Sequence, residues 1–110
     1  MSESEFLAAA EAILNAIETG MEDAGETADV DLECSRSGNV LEIEFIDNGS
    51  KMIVNTQAPM QEIWLAARGG GFHYRQREGR WLDTRDGSEL FAAVSQHASA
   101  QAGKTLIITP

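Results

Sequence analysis

Residues 41–55 read Leu41-Glu42-Ile43-Glu44-Phe45-Ile46-Asp47-Asn48-Gly49-Ser50-Lys51-Met52-Ile53-Val54-Asn55. Leu41, Ile43 and Phe45 alternate with Glu42 and Glu44, the period of a strand with one buried face. Asp47-Asn48-Gly49-Ser50 then marks a hairpin, because Asn-Gly accepts the positive φ of tight turns. Lys51 to Asn55 is the returning strand. An antiparallel hairpin with one apolar face needs a cover for that face, so the flanking sequence decides the architecture.

Upstream, Val30, Leu32 and Cys34 alternate with Asp29, Asp31 and Glu33, a further half-buried strand, and Ser37-Gly38-Asn39 turns it into the hairpin. Before it, Phe6, Ala10, Ile13, Ile17 and Met21 recur at helical spacing, with Leu14 and Ala24 beside the stripe. Ser4 is the expected N-cap, Glu5 sits favourably in the first turn, Gly20 is a weak point and Gly25 the expected stop. Downstream, Pro59 interrupts the pattern and residues 62–67 resume it. Parity puts Ile63 and Leu65 on the core face and Trp64 on the solvent face. Gly69-Gly70-Gly71 turns, residues 72–77 form a strand, Glu78-Gly79 turns again, and residues 80–83 form a short strand with Trp81 in the core. A second helix is expected over residues 88–102, with Asp86 and Glu89 at capping-box spacing, Leu90, Phe91, Val94 and Ala98 inward, and Gly103 at its end. The apolar, β-branched residues 105–109 read as a last strand. The order α-β-β-β-β-β-β-α-β, with short turns, predicts an α+β fold. It is a two-layer α/β sandwich whose antiparallel sheet of about six to seven strands is covered on one face by two helices.

Length and composition bound the function. The 110 residues, 43% hydrophobic and 24% charged, suit a single domain over 1–110 with its own core. The lone Cys34 excludes an internal disulfide and a cysteine-based zinc site. No targeting presequence is visible and no apolar run approaches the ~20 residues that cross a bilayer, so a cytoplasmic location is expected. Eighteen acids oppose eight bases, a net charge of −10, and ten of those acids fall at or before Glu33, ahead of the first base, Arg36. The whole excess therefore precedes Arg36. Its centre is Glu18, Glu22, Asp23, Glu26, Asp29, Asp31 and Glu33. At about 100° per residue, Glu11, Glu18 and Glu22 share a narrow arc beside the apolar stripe. Nucleic acid and anionic membranes are repelled by such a segment, while cations and basic protein surfaces are attracted. Two like charges ~6 Å apart in water repel by roughly 0.7 kcal/mol, so the ridge is a tolerated destabilisation that salt or bound cations relieve, and it favours a monomer without metal.

No catalytic constellation is visible. His73 and His97 are the only histidines; His73 alternates onto the solvent side, His97 lies late in a helix, and Cys34 has core-facing parity. The triple glycine opens no helix, so it is no phosphate loop. Asp29-x-Asp31-x-Glu33 fails as a calcium loop, because Cys34 stands where glycine is needed and Val40 where a glutamate is needed. What remains is a row of carboxylates on a strand beside a row on a helix. They are hard ligands suited to iron, manganese, magnesium and calcium, in open and weakly selective sites. Trp64, a large aromatic on a solvent face, is a candidate binding anchor.

The acidic first helix, the Asp29/Asp31/Glu33 segment, Asn55-x-Gln57-x-Pro59 running into Ile63-Trp64-Leu65-Ala66, and Gly70-Gly71-Phe72-His73-Tyr74 together resemble the frataxin family in its bacterial form, over essentially the whole chain. The resemblance implies an α-β-α sandwich without enzymatic activity that binds ferrous and ferric iron weakly, other divalent cations being possible. It implies a role in iron–sulfur cluster assembly, by docking on the cysteine desulfurase–scaffold complex as a regulator. An iron chaperone or store, or a ferroxidase, is the alternative. The metal ridge it implies is Glu18, Glu22, Asp23, Asp29, Asp31 and Glu33, with Glu11 and Glu26 peripheral. The implied partner surface is Glu18, Glu22, Asp23, Asp31, Asn55, Gln57 and Trp64. Thr19, Gly25 and Thr27 stand where bacterial members often carry further acids, so this ridge is sparser. Longer members pack a C-terminal tail between the helices, and with Pro110 following the last strand a modest stability is expected.

Overall fold

A computed structural model describes residues 1–110. Helix α1 (Glu3–Ala28) leads into strands β1 (Leu32–Ser37), β2 (Val40–Phe45), β3 (Ser50–Gln57), β4 (Glu62–Ala67), β5 (Gly70–Arg77) and β6 (Arg80–Asp83), followed by helix α2 (Leu90–Ala102). The strands lie side by side in sequence order, each antiparallel to the next. Pro59 sits in a turn of 3-10 helix, Ala58–Met60, that carries β3 into β4. The expected alternation is met: Leu41, Ile43, Phe45, Met52, Val54, Ile63, Leu65, Tyr74 and Trp81 are buried on one face of the sheet. Phe6, Ala10, Leu14, Ile17 and Met21 from α1, and Leu90, Phe91, Val94 and Ala98 from α2, close the same core from one side. The other face of the sheet carries no helix.

Helix α1 differs from expectation at both ends. Ser2, not Ser4, is the N-cap: its Oγ accepts from the Glu5 backbone at 3.1 Å while its own N–H donates to Glu5 Oε1 at 2.9 Å. The reciprocal pair needs a glutamate three residues on, which Ser2 has and Ser4 lacks. Gly25 does not stop the helix but lies inside it, buried; a Cβ there would stand 2.9 Å from Leu32 Cδ2 and 3.1 Å from the Val30 carbonyl oxygen. The glycine serves close approach between helix and returning chain. The stop is Asp29, in the left-handed region at φ 57°. Asp29 and Asp31 therefore belong to the link, and β1 begins only at Leu32.

The second helix begins at Leu90 rather than at residue 88. Ser88 accepts from the Asp83 N–H at 2.7 Å, and Glu89 bridges to Leu82, which keeps both extended. Glu89 is the N-cap, its carboxylate accepting from the N–H groups of Phe91 (2.7 Å) and Ala92 (3.0 Å), whereas Asp86 accepts from Ser88.

Residues 105–109 do not form the expected last strand. Leu106 and Ile108 are buried, but their backbone groups are satisfied by α2. Ser99 Oγ accepts from Leu106 N–H (2.8 Å) and donates to its carbonyl (3.0 Å); Ser95 does the same for Ile108 (2.8 and 3.2 Å). With two helix hydroxyls in place of a neighbouring strand, the segment stays off the sheet.

Candidate metal and partner site

The acidic segment wraps one edge of the molecule, because β1 is an edge strand and α1 runs beside it. Glu22, Asp23 and Glu26 on the last turns of α1, Asp29 at its end, Asp31 in the link and Glu33 on β1 are all exposed. The strand row and the helix row lie on different sides of that edge. Glu33 shares the outer sheet face with Glu44, directly opposite it, and with Lys51 beyond. Cys34 and Arg36 point to the helix side. Glu44 extends the acidic row and was legible from strand parity, but only the register puts it against Glu33.

Glu18 stands apart from the rest. It is half-buried and lies 3.8 Å from Arg36, whose guanidinium also donates to Glu11 Oε2 at 2.6 Å and Asn15 Oδ1 at 2.8 Å. Arg36 is thus an internal counter-ion for the N-terminal half of the ridge. At the other end, Lys104 Nζ donates to the Ala28 and Asp29 carbonyl oxygens at 3.0 and 3.3 Å, where a cation suits the negative end of the helix dipole. Between these two bases the carboxylates carry no ion pair. No three His, Cys, Asp or Glu side chains converge into a metal-holding group, so a hard cation here meets separate carboxylates rather than a cage.

Burial pushes the Cys34 thiol up to about 12, with the charges of Glu22 and Glu18 adding to it. Since the thiolate is the nucleophile, iodoacetamide at pH 8 is expected to modify the native protein at least about 100-fold more slowly than the urea-unfolded chain. Similar rates would place Cys34 away from the ridge and in water.

The residues expected on the outer sheet face also come together. Asn55 pairs in register with Trp64, and Trp64 with His73; Gln57 Nε2 donates to Asn55 Oδ1 at 2.8 Å. Trp64 has the predicted outward direction but is half-buried, because His73 stacks on it with centroids 4.1 Å apart and planes within 6°. Its indole N–H donates to Glu62 Oε1 at 2.9 Å. Glu62, only 3% exposed, also pairs with Arg75 (2.9 Å) and lies 3.6 Å from His73 Nδ1. Glu62 has outward parity, so its burial was not legible before its neighbours were known.

A family model described as a frataxin-like domain matches residues 1–104, and the chain belongs to that family. It is 60% identical over 108 residues to the iron-sulfur cluster assembly protein CyaY of Janthinobacterium sp. (strain Marseille), covering 98% of this chain and 96% of that one. Its identity to the protein of the same name from Herminiimonas arsenicoxydans is 58%, with the same coverage. Among solved structures, the frataxin from Psychromonas ingrahamii superposes with a TM-score of 0.83 at 31% identity over 100% of both chains. A trimeric frataxin from Saccharomyces cerevisiae complexed with ferrous iron has the same fold, with a TM-score of 0.75 at 23% identity over 87% of each chain.

Proposed function

We propose that this chain, a single frataxin-like domain over residues 1–110, is a non-catalytic, iron-binding regulator of iron–sulfur cluster assembly in the cytoplasm. Glu18, Glu22, Asp23, Asp29, Asp31 and Glu33 take ferrous or ferric iron weakly, Glu18 only in competition with Arg36. The same ridge, through Glu18, Glu22, Asp23 and Asp31, docks on a basic surface of the cysteine desulfurase–scaffold complex, and Asn55, Gln57 and Trp64 extend the contact across the sheet. The observation that carries this reading is the run of exposed acids from Glu22 to Glu33 without an ion-pair partner. Such a surface is stabilised by whatever cation or basic partner covers it. The E22K/D23K variant is expected to bind the desulfurase complex about 100-fold more weakly by calorimetry, roughly 2.7 kcal/mol, and to lose ferrous-iron-induced NMR shifts along α1. Unchanged affinity would remove the ridge as the docking surface.

A further inference from the structure

The outer face of β5 and β6 carries a second charged surface, opposite in sign to the ridge. His73, Arg75 and Arg77 share that face along β5, roughly 7 Å apart, and Trp64 stacks on the first of them. Across the hairpin, Arg77 pairs in register with Arg80. Five of the chain's eight bases lie between Arg68 and Arg85, against two acids, Glu78 and Asp83, and Asp83 is buried.

Directly opposed like charges destabilise an antiparallel pair, yet Arg77 and Arg80 are both exposed and make no ion pair within the chain. The turn that holds them in register adds to the cost: Glu78 takes φ 52° ahead of Gly79 at 78°, and left-handed backbone is unfavourable for a residue with a Cβ. Arg75 differs. The buried Glu62 anchors it at 2.9 Å while more than half of its side chain stays exposed. One oriented guanidinium beside the stacked tryptophan and two unpaired ones further along the same face therefore form one strip, made of the side-chain types that dominate protein interfaces. The guanidinium fork matches carboxylate geometry.

We infer that this strip docks an acidic segment of a partner protein, with Trp64 as apolar anchor and Arg75, Arg77 and Arg80 receiving carboxylates. The inference rests on the sheet-face docking proposed above and gives that surface its polarity. Nucleic acid, the other polyanion, is opposed by the net charge of −10. A partner that covers both surfaces must present a basic region to the ridge and an acidic one to the strip, which defines its orientation.

The test titrates isotope-labelled protein with a short peptide of Asp, Glu and Leu, and separately with its Lys-for-acid counterpart. The acidic peptide is expected to shift the Trp64 indole, His73, Arg75, Arg77 and Arg80 signals and to leave Glu22 and Asp23 unmoved; the basic peptide does the reverse. R77E/R80E should weaken the acidic peptide by about tenfold or more and leave the basic peptide bound no more weakly. R77Q/R80Q, which keeps the length and polarity of both side chains, should lie between. Shifts spread evenly over the surface, an R77Q/R80Q variant indistinguishable from the parent, or concentration-dependent shifts of the strip without peptide, marking contact between copies, would each overturn the inference. The desulfurase–scaffold complex supplies a separate arm. If it does not bind the parent protein, the function proposed above fails while the peptides still decide the strip. If it binds the parent and R77E/R80E equally, the strip is not its docking surface and the inference falls.

Discussion

Trp81→Ala is expected to lower the unfolding free energy by about 3–5 kcal/mol, a large part of the ~5–15 kcal/mol of an ordinary domain. Trp81 is 3% exposed and meets the ring of Phe6 edge-on, with centroids 5.9 Å apart and planes at 65°. Such aromatic pairs add to the burial of their area. The contact joins the first turn of α1 to the four-residue edge strand β6. Relaxation into the void is limited on both sides. Arg80 to Asp83 are held in register by β5, and the first turn of α1 is held by the Ser2–Glu5 capping box. Trp81→Phe, which keeps an aromatic ring against Phe6, should cost less than half as much. Urea unfolding followed by circular dichroism reads both; a loss below about 1 kcal/mol for the alanine variant would mean that the void collapses freely.

Gln101→Leu is expected to cost about 2–4 kcal/mol although it adds apolar surface to a buried position. The Gln101 side chain is 3% exposed. Its Oε1 accepts from the Arg68 N–H at 2.9 Å, and its Nε2 donates to Ser50 Oγ at 3.0 Å and the Lys51 carbonyl at 3.2 Å. Its backbone carbonyl accepts from Asn48 Nδ2 at 2.7 Å. One residue of α2 thus fastens both the β2–β3 turn and the β4–β5 turn, and leucine would leave the partly buried Arg68 N–H, Ser50 hydroxyl and Lys51 carbonyl without these bonds. The matched control is Gln96→Leu, at an exposed position of the same helix, where little change is expected. Equal effects at the two sites would show that the amide network contributes nothing. Faster hydrogen exchange at the Arg68 amide should accompany the loss at position 101.

Most of the architecture was legible because burial alternates locally. The period of Leu41, Ile43 and Phe45, the Asn48-Gly49 turn and the stripe from Phe6 to Met21 each need only a few neighbouring residues to be recognised. The misread boundaries have a different cause. Gly25 resembles a helix stop until Leu32 is known to pack on it, and residues 105–109 resemble a strand until Ser95 and Ser99 are known to bond their backbone. The α1 acids were likewise readable from helical phase and Glu33 from strand parity, whereas Asp29 and Asp31 were assigned to a strand that begins only after them. The engagement of Glu18 by Arg36 was not readable, nor was the burial of Glu62 beneath Trp64, since both depend on which strand lies beside which and in what register. Gln101 gave no signal at all: a polar residue late in an amphipathic helix reads as surface unless the turns it holds are already in place.

The sequential order of the strands has a consequence for how the molecule assembles. Every strand pairs only with its neighbours in the chain, so the whole sheet is a series of local hairpins whose loops close with little entropy loss. Topologies rich in such short-range contacts fold faster than those that must first join distant segments. The helices differ: α2 bonds back to the β2–β3 turn through Gln101, and α1, which precedes the sheet in sequence, reaches as far as the last strand, where Phe6 meets Trp81. That meeting closes most of the chain into one loop, at a larger entropic cost than any single hairpin of the sheet.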